Sequence, residues 1–395
     1  MKKLIILLVF FFMALTLSSQ IEQHQLTVRN VVVPVRAYDK NDFVDSLTID
    51  DFELYENGIL QKIEALHLTD KTELSRTEGA TGFIPQVSRN YYLLFQLIDY
   101  NPKLKEAIDY FFSEVMLPED NLTIMTPLKN YTLPSGALEK YSREEISKEM
   151  NEILRKDVKI GSSNYISVFR DLKRLAQSIS GSGDDPLESS FSIEFLLPRY
   201  RESLQNMEKL RVVDEKWFLL FAQQLKRLSG QKNVFFFYQR EFRPEISGTV
   251  YDRIQSGYQD KPDVLAQVTE LFAFYRRESA WDANRIKQAF ADSSIDFHFL
   301  FMDKRPESAI GITMREQSED VFNTFLEVTK ATGGLIRTSQ NPAAGFKDAV
   351  NSTECCYFLF YSPKDYQQDG KFKKIEVRVK NKDYTIKHRT GYYAN

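Results

Sequence analysis

The feature that most constrains the fold is Tyr91–Lys103, YYLLFQLIDYNPK, an almost unbroken apolar run that stops at Asp99-Tyr100-Asn101-Pro102. A strand apolar at successive residues has both faces covered, the condition met in a parallel sheet packed between helices. Leu104–Met116 then takes over with helical spacing, through Leu104, Ile108, Phe111, Phe112 and Val115. Strand, polar turn and helix together make the repeating unit of an α/β fold. Ligands of such folds gather outside the carboxyl ends of the strands, and Asp99 stands at that place.

The same pattern recurs down the chain. Asn121–Thr126, Asn233–Tyr238, Ile295–Met302 and Leu335–Thr338 read as strands, with Tyr131–Leu133 as a pairing segment. Arg143–Lys156 is amphipathic, and Gly161-Ser162-Ser163-Asn164 opens a helix to about Ser180. Ser189–Leu228 is largely helical and is expected to break at Pro198. Lys261–Arg277, Asp282–Asp292, Ser318–Thr332 and Ala344–Asn351 complete the helices, with Gly333-Gly334 as a C-cap signal. Alternation of strand and helix makes right-handed parallel crossovers the expected topology.

The two ends read differently. Gln25–Tyr38, Phe52–Tyr55 and Gln61–Leu68, punctuated by Asn57-Gly58, are short strands, as are Cys355–Pro363, Lys371–Lys380 and Asp383–Lys387. At 395 residues the chain exceeds one ordinary core. The division is a signal peptide at 1–20, an amino-terminal β segment at 21–70, a polar linker at 71–89, an α/β domain at 90–351 and a carboxyl-terminal β segment at 352–395. The α/β domain carries a helical insert at about 180–228. The two β segments are expected to pair into one small sandwich, the alternative being two separate units.

Met1–Gln20 has the basic start, apolar middle and small residues of a secretory signal, too short to span a bilayer comfortably, with retention as an anchor the alternative. The expectation is an exported protein, periplasmic or extracellular. The net charge of -3 lacks the basic footprint of a nucleic-acid or anionic-membrane binder. Cys355 and Cys356 are adjacent, so in a strand they point to opposite faces and do not bridge.

Catalytic patterns are lacking. No HExxH, GxSxG or GxxxxGK[ST] occurs, and His24, His67, His298 and His388 are scattered, His298 inside a buried strand. Asp50-Asp51, Glu144-Glu145 and Asp184-Asp185 read as turns or helix starts. The expectation is therefore no enzyme and no catalytic residue. A hydrolase using carboxylates that only the fold assembles is one alternative.

VVVPVRAYDKNDFVDSLTIDDFELYENGILQKIEAL and TGGLIRTSQNPAAGFKDAVNSTECCYFLFYSPKDYQQDGKFKKIEVRVKNKDYTIKHRTGYYA resemble the flanking segments of bacterial exported proteins with a von Willebrand factor type A-related domain, of the acidobacterial type. The resemblance implies a Rossmann-like type A domain and a metal-ion-dependent adhesion site, DxSxS after the first strand, completed by a Thr and an Asp. Hard oxygen ligands there would hold Mg²⁺ or Mn²⁺ for a partner's carboxylate. Here the motif aligns with Asp99, Asn101 and Lys103, the Thr with Ser162 or Ser163, and the Asp with Gln239. An ammonium replaces a ligand and an amide replaces a carboxylate, so the site reads as degenerate, with Asp99 capping the next helix or pairing with Lys103.

The resulting expectation is a non-catalytic binding module with no cofactor, meeting a protein or cell-surface partner through Asp99–Lys103, Gly161–Asn164 and Gln239–Glu241. The alternatives are a metal-dependent adhesion module with Mg or Mn at Asp99, the carboxylate hydrolase, and a structural subunit of an envelope assembly.

Overall fold

The computed structural model describes residues 30–80, 82–181, 192–210, 214–275, 282–364, 366–380 and 383–395. The expected signal peptide, His24, most of the Gly181–Pro186 break and Arg276-Arg277 lie outside the described residues. The chain is α/β.

Six strands, numbered in chain order, make the central sheet: β1 Arg89–Gln96, β2 Asn121–Met125, β3 Asn130–Leu133, β4 Gln231–Gln239, β5 Asp296–Met302 and β6 Ile336–Ser339. Their spatial order is 3-2-1-4-5-6, parallel except for β3. Successive residues of the apolar runs serve opposite faces. Tyr91, Leu93, Phe95, Phe235 and Phe237 pack under α1 (Lys103–Tyr110), α2 (Arg143–Gly161) and α10 (Pro342–Glu354). Tyr92, Leu94, Phe236, Phe297, Phe299 and Phe301 pack under α5 (Glu215–Lys226), α8 (Ala283–Asp292) and α9 (Glu319–Thr332). Each fully buried Phe or Leu contributes roughly 1.5–3 kcal/mol, and two covered faces explain why no alternation is visible in these strands.

A third core joins α3 (Ser163–Ser180), α4 (Ile193–Lys209), α6 (Gly248–Gly257) and α7 (Pro262–Tyr275). The expected insert at about 180–228 is thus divided: α4 belongs to this helical layer, while α5 covers the central sheet. Pro198 does not break α4. It lies in the second turn on the exposed side, and the helix continues to Lys209. A two-stranded ribbon, Phe242–Ile246 with Ile312–Glu316, runs beside this layer; its apolar and charged residues alternate, but Pro244 inside so short a run argues against a strand.

The two chain ends pair with each other. One antiparallel sheet runs in the order Thr385–His388, Val31–Asp39, Cys355–Tyr361, Ile63–Asp70, Glu73–Gly79. The other runs Gly391–Tyr393, Phe372–Val379, Phe52–Glu56, Ile59–Gln61. Val33, Val35 and Leu359 of the first share one core with Leu54, Ile375 and Val377 of the second. Glu73–Gly79 corrects the expected linker: it is an edge strand, whose half-buried Arg76 and Glu78 bond to the Leu47 carbonyl and the Ile49 N–H.

These sheets dock at the amino-terminal rim of the central sheet. Arg36 forms two bonds with Asp296 at 3.0 and 2.6 Å. Arg389 reaches Ser294 Oγ, and the Tyr393 N–H donates to Asp292 at 2.8 Å. Lys232 donates to the Leu225 and Leu228 carbonyls at 3.1 and 3.2 Å, capping the end of α5. Burial, with Arg389 nearby, pushes Lys232 down to about 8.

Candidate functional site

Strand order fixes where a site belongs. In the order 3-2-1-4-5-6 the connections reverse direction between β1 and β4, which opens a crevice at the carboxyl ends of those two strands. Asp99 follows β1 and Gln239 ends β4, so both stand at the reversal.

They bond to each other. Buried Gln239 accepts the N–H groups of Ile98 and Asp99 at its Oε1, both at 2.9 Å, and donates from Nε2 to Asp99 Oδ1 at 2.5 Å. A carboxylate at position 239 would lack that donor and would face Asp99 with like charge. The second carboxylate oxygen of Asp99 accepts from Lys304 Nζ at 2.6 Å. An amide and an ammonium therefore satisfy the acid from both sides.

The remaining expected residues do not join it. Lys103 pairs with Glu106 at 2.6 Å, not with Asp99. The reason is geometric: Asp99 precedes the helix, so no turn brings the two together, whereas Glu106 lies three residues on within α1. Nor does Asp99 cap α1. Asn101 Oδ1 accepts the Lys103 N–H at 2.9 Å, and Asn101 Nδ2 donates to the Gln340 carbonyl at 3.3 Å. Ser163 Oγ donates back to the Ile160 carbonyl at 2.6 Å, and the buried Ser162 Oγ has no partner among the described residues. Neither serine bonds to Asp99, Gln239 or Lys304. Sequence reasoning missed Lys304. Its signal was the polar run Asp303-Lys304-Arg305 directly after an apolar strand, the same strand-end logic that located Asp99 and Gln239.

Beside this cluster a groove of about 440 Å³ runs between the strand-end loops and the first turns of α3. Tyr165, Phe169 and Phe242 form its apolar bed; Tyr165 donates to the Phe242 carbonyl at 3.2 Å. Arg240, also on the groove, pairs with Asp303 at 2.8 Å and Glu316 at 3.3 Å. A larger groove of about 900 Å³ lies between α1 and α2, where Asp109 accepts from Ser147 Oγ at 2.7 Å and Asn151 Nδ2 at 3.1 Å.

Among the described residues no three His, Cys, Asp or Glu side chains are grouped to hold a metal ion. The three described histidines touch no carboxylate: His67 meets Thr77 Oγ1, His298 Nδ1 accepts the Leu335 N–H, and His388 Nδ1 meets the Arg389 carbonyl. Burial pushes His298 down to about 3. It pushes the unbridged Cys355 and Cys356 thiols up to about 11, away from the thiolate form a nucleophile needs. Among the described residues no helix is long and apolar enough to cross a membrane.

No family model, no curated protein and no solved structure matches the chain.

Proposed function

We propose that this chain is an exported, non-catalytic binding protein. Its von Willebrand type A-like domain is carried on a sandwich of the two β ends and meets a protein partner through the loops at the carboxyl rim. The fold reading draws support from the strand order with its reversal between β1 and β4, and from the core shared by the two antiparallel sheets. The observation that carries the functional reading is the Asp99 cluster. At the position where an ion would sit, the Gln239 amide and the Lys304 ammonium take both carboxylate oxygens. The rim thus keeps a preorganised polar face that needs no cation.

Two measurements test this. Titration calorimetry with Mg²⁺, Mn²⁺ and Ca²⁺ should give no saturable heat; a saturable heat that vanishes in an Asp99→Ala variant would restore the metal-dependent alternative. A photo-crosslinking residue placed at the exposed Lys103, in cells of the native host, should yield a discrete protein adduct that survives chelator. No adduct from this rim, alongside one from a probe on another face, defeats the reading.

A further inference from the structure

Along the groove beside Asp99 basic residues outnumber acidic ones, although the whole chain has 55 acidic against 52 basic side chains. Three of the cations are spent internally: Lys304 on Asp99 at 2.6 Å, Lys173 on Glu307 at 2.5 Å, and Arg240 on Asp303 and Glu316. Arg170 on α3 and Arg305 after β5 remain. Both are exposed and neither has a carboxylate partner among the described residues. They belong to two different elements, with Tyr165, Phe169 and Phe242 among the residues lining the same groove. The Tyr165 and Phe169 rings lie nearly parallel, 6.4 Å between centroids and 20° apart, and Phe169 and Phe242 are half-buried.

We infer that this groove binds an extended protein segment in which acidic side chains flank an aromatic or large apolar one. The inference rests on the binding-face reading above and names the chemistry of the partner. Two unpaired guanidinium groups offer planar donors suited to carboxylates. An apolar bed beside them desolvates an aromatic anchor, the combination of Arg and aromatic residues that dominates protein interfaces. A nucleic-acid backbone fits poorly, because among the described residues only Arg170 and Arg305 stand in the groove without a carboxylate partner, and the chain as a whole carries a net charge of -3.

The test is selection of short random peptides displayed on phage against the immobilised full mature chain. Enriched sequences should place Asp or Glu on either side of Phe, Tyr, Trp or Leu. Their affinity should fall about tenfold or more in an Arg170→Glu/Arg305→Glu variant, and should weaken as salt rises. Both arginines are exposed, so the variant should melt within a few degrees of the parent, and a melt verifies this. Enrichment of neutral or basic sequences, binding unchanged in the double variant, or no enrichment overturns the inference. The Lys103 crosslinking probe separates the two failures: an adduct without acidic-peptide selectivity sinks only the partner chemistry, whereas no rim adduct sinks the binding face as well.

Discussion

Both rims of the central sheet hold charged side chains, and they hold them in opposite ways. At the amino-terminal rim the side chains of Arg36 and Asp296 are 4% and 13% exposed. At the carboxyl rim Lys304 and Asp99 are 36% and 49% exposed. The bond lengths are alike, 2.6 Å in each pair, so distance does not distinguish them. Solvent does. The buried pair is little screened and cannot be rehydrated without separating the β sheets of the two chain ends from the central sheet, whereas the rim pair can exchange its partner for water or another chain. One rim is a joint and the other is a surface, an asymmetry that follows from where the connecting loops of a doubly wound sheet fall.

Removing one member of the joint should have the largest effect. Arg36→Ala leaves Asp296 without its guanidinium at a closed interface, and should cost about 3–5 kcal/mol in denaturant unfolding. A loss under about 1 kcal/mol would mean that water reaches Asp296 and that the rims do not differ. The next effect is one of pH. His298 faces Asp296, Arg36 and Lys387 and stays neutral in the fold down to about 3, against 6.5 when exposed. Because its folded value is the lower one, the unfolded chain binds the extra proton between those limits. Stability should therefore be complete above pH 6.5 and decline as the pH falls, this group contributing roughly 3 kcal/mol of loss by about pH 4. His298→Gln keeps an acceptor for the Leu335 N–H and removes the titration. Stability curves for parent and variant that run parallel from pH 7 to 4 would refute this account.

The sequence made the joint and the surface legible to different degrees. Strands β1, β4 and β5 were readable because each is covered on both faces and so is a nearly continuous apolar run, His298 in β5 being the exception. Asp99 and Gln239 were placed by the same reasoning, since each closes such a run. Lys304 escaped because its partner is 205 residues away, and nothing local tells which strand ends will be neighbours. The Arg36–Asp296 joint was hidden for the same reason, at a separation of 260 residues. Glu73–Gly79 was hidden because Leu74 is its one apolar side chain and leaves no period-2 pattern, and the Phe242–Ile246 ribbon because Pro244 interrupts a short alternation of apolar and charged residues. Lys103 misled because a spacing of four counts as proximity only inside a helix, and Asp99 stands outside it.

At the carboxyl rim the effects should be smaller and local. Gln239→Ala strips the acceptor from two backbone N–H groups and the donor from Asp99, which should cost about 1–3 kcal/mol. The Ile98 and Asp99 amides should lose hydrogen-exchange protection while amides of the β4 core keep theirs. Protection that persists at both positions would show that the loop does not depend on this amide.

Lys304→Ala should do least. The pair it breaks is exposed on both sides, and such pairs contribute about 0.2–1 kcal/mol at low salt. Raising the ionic strength to about 1 M shortens the screening length to roughly 3 Å, so parent and variant should then unfold together. Arg36→Ala should keep its deficit under the same conditions, because the charge it abandons is buried from salt where the β sheets pack on the central sheet. This pair of variants isolates the comparison from fold and sequence alike, since each removes one cation from one aspartate in the same sheet. If salt closes both gaps, or neither, the rims do not differ in solvent access and the carboxyl rim loses its claim to be the adaptable one.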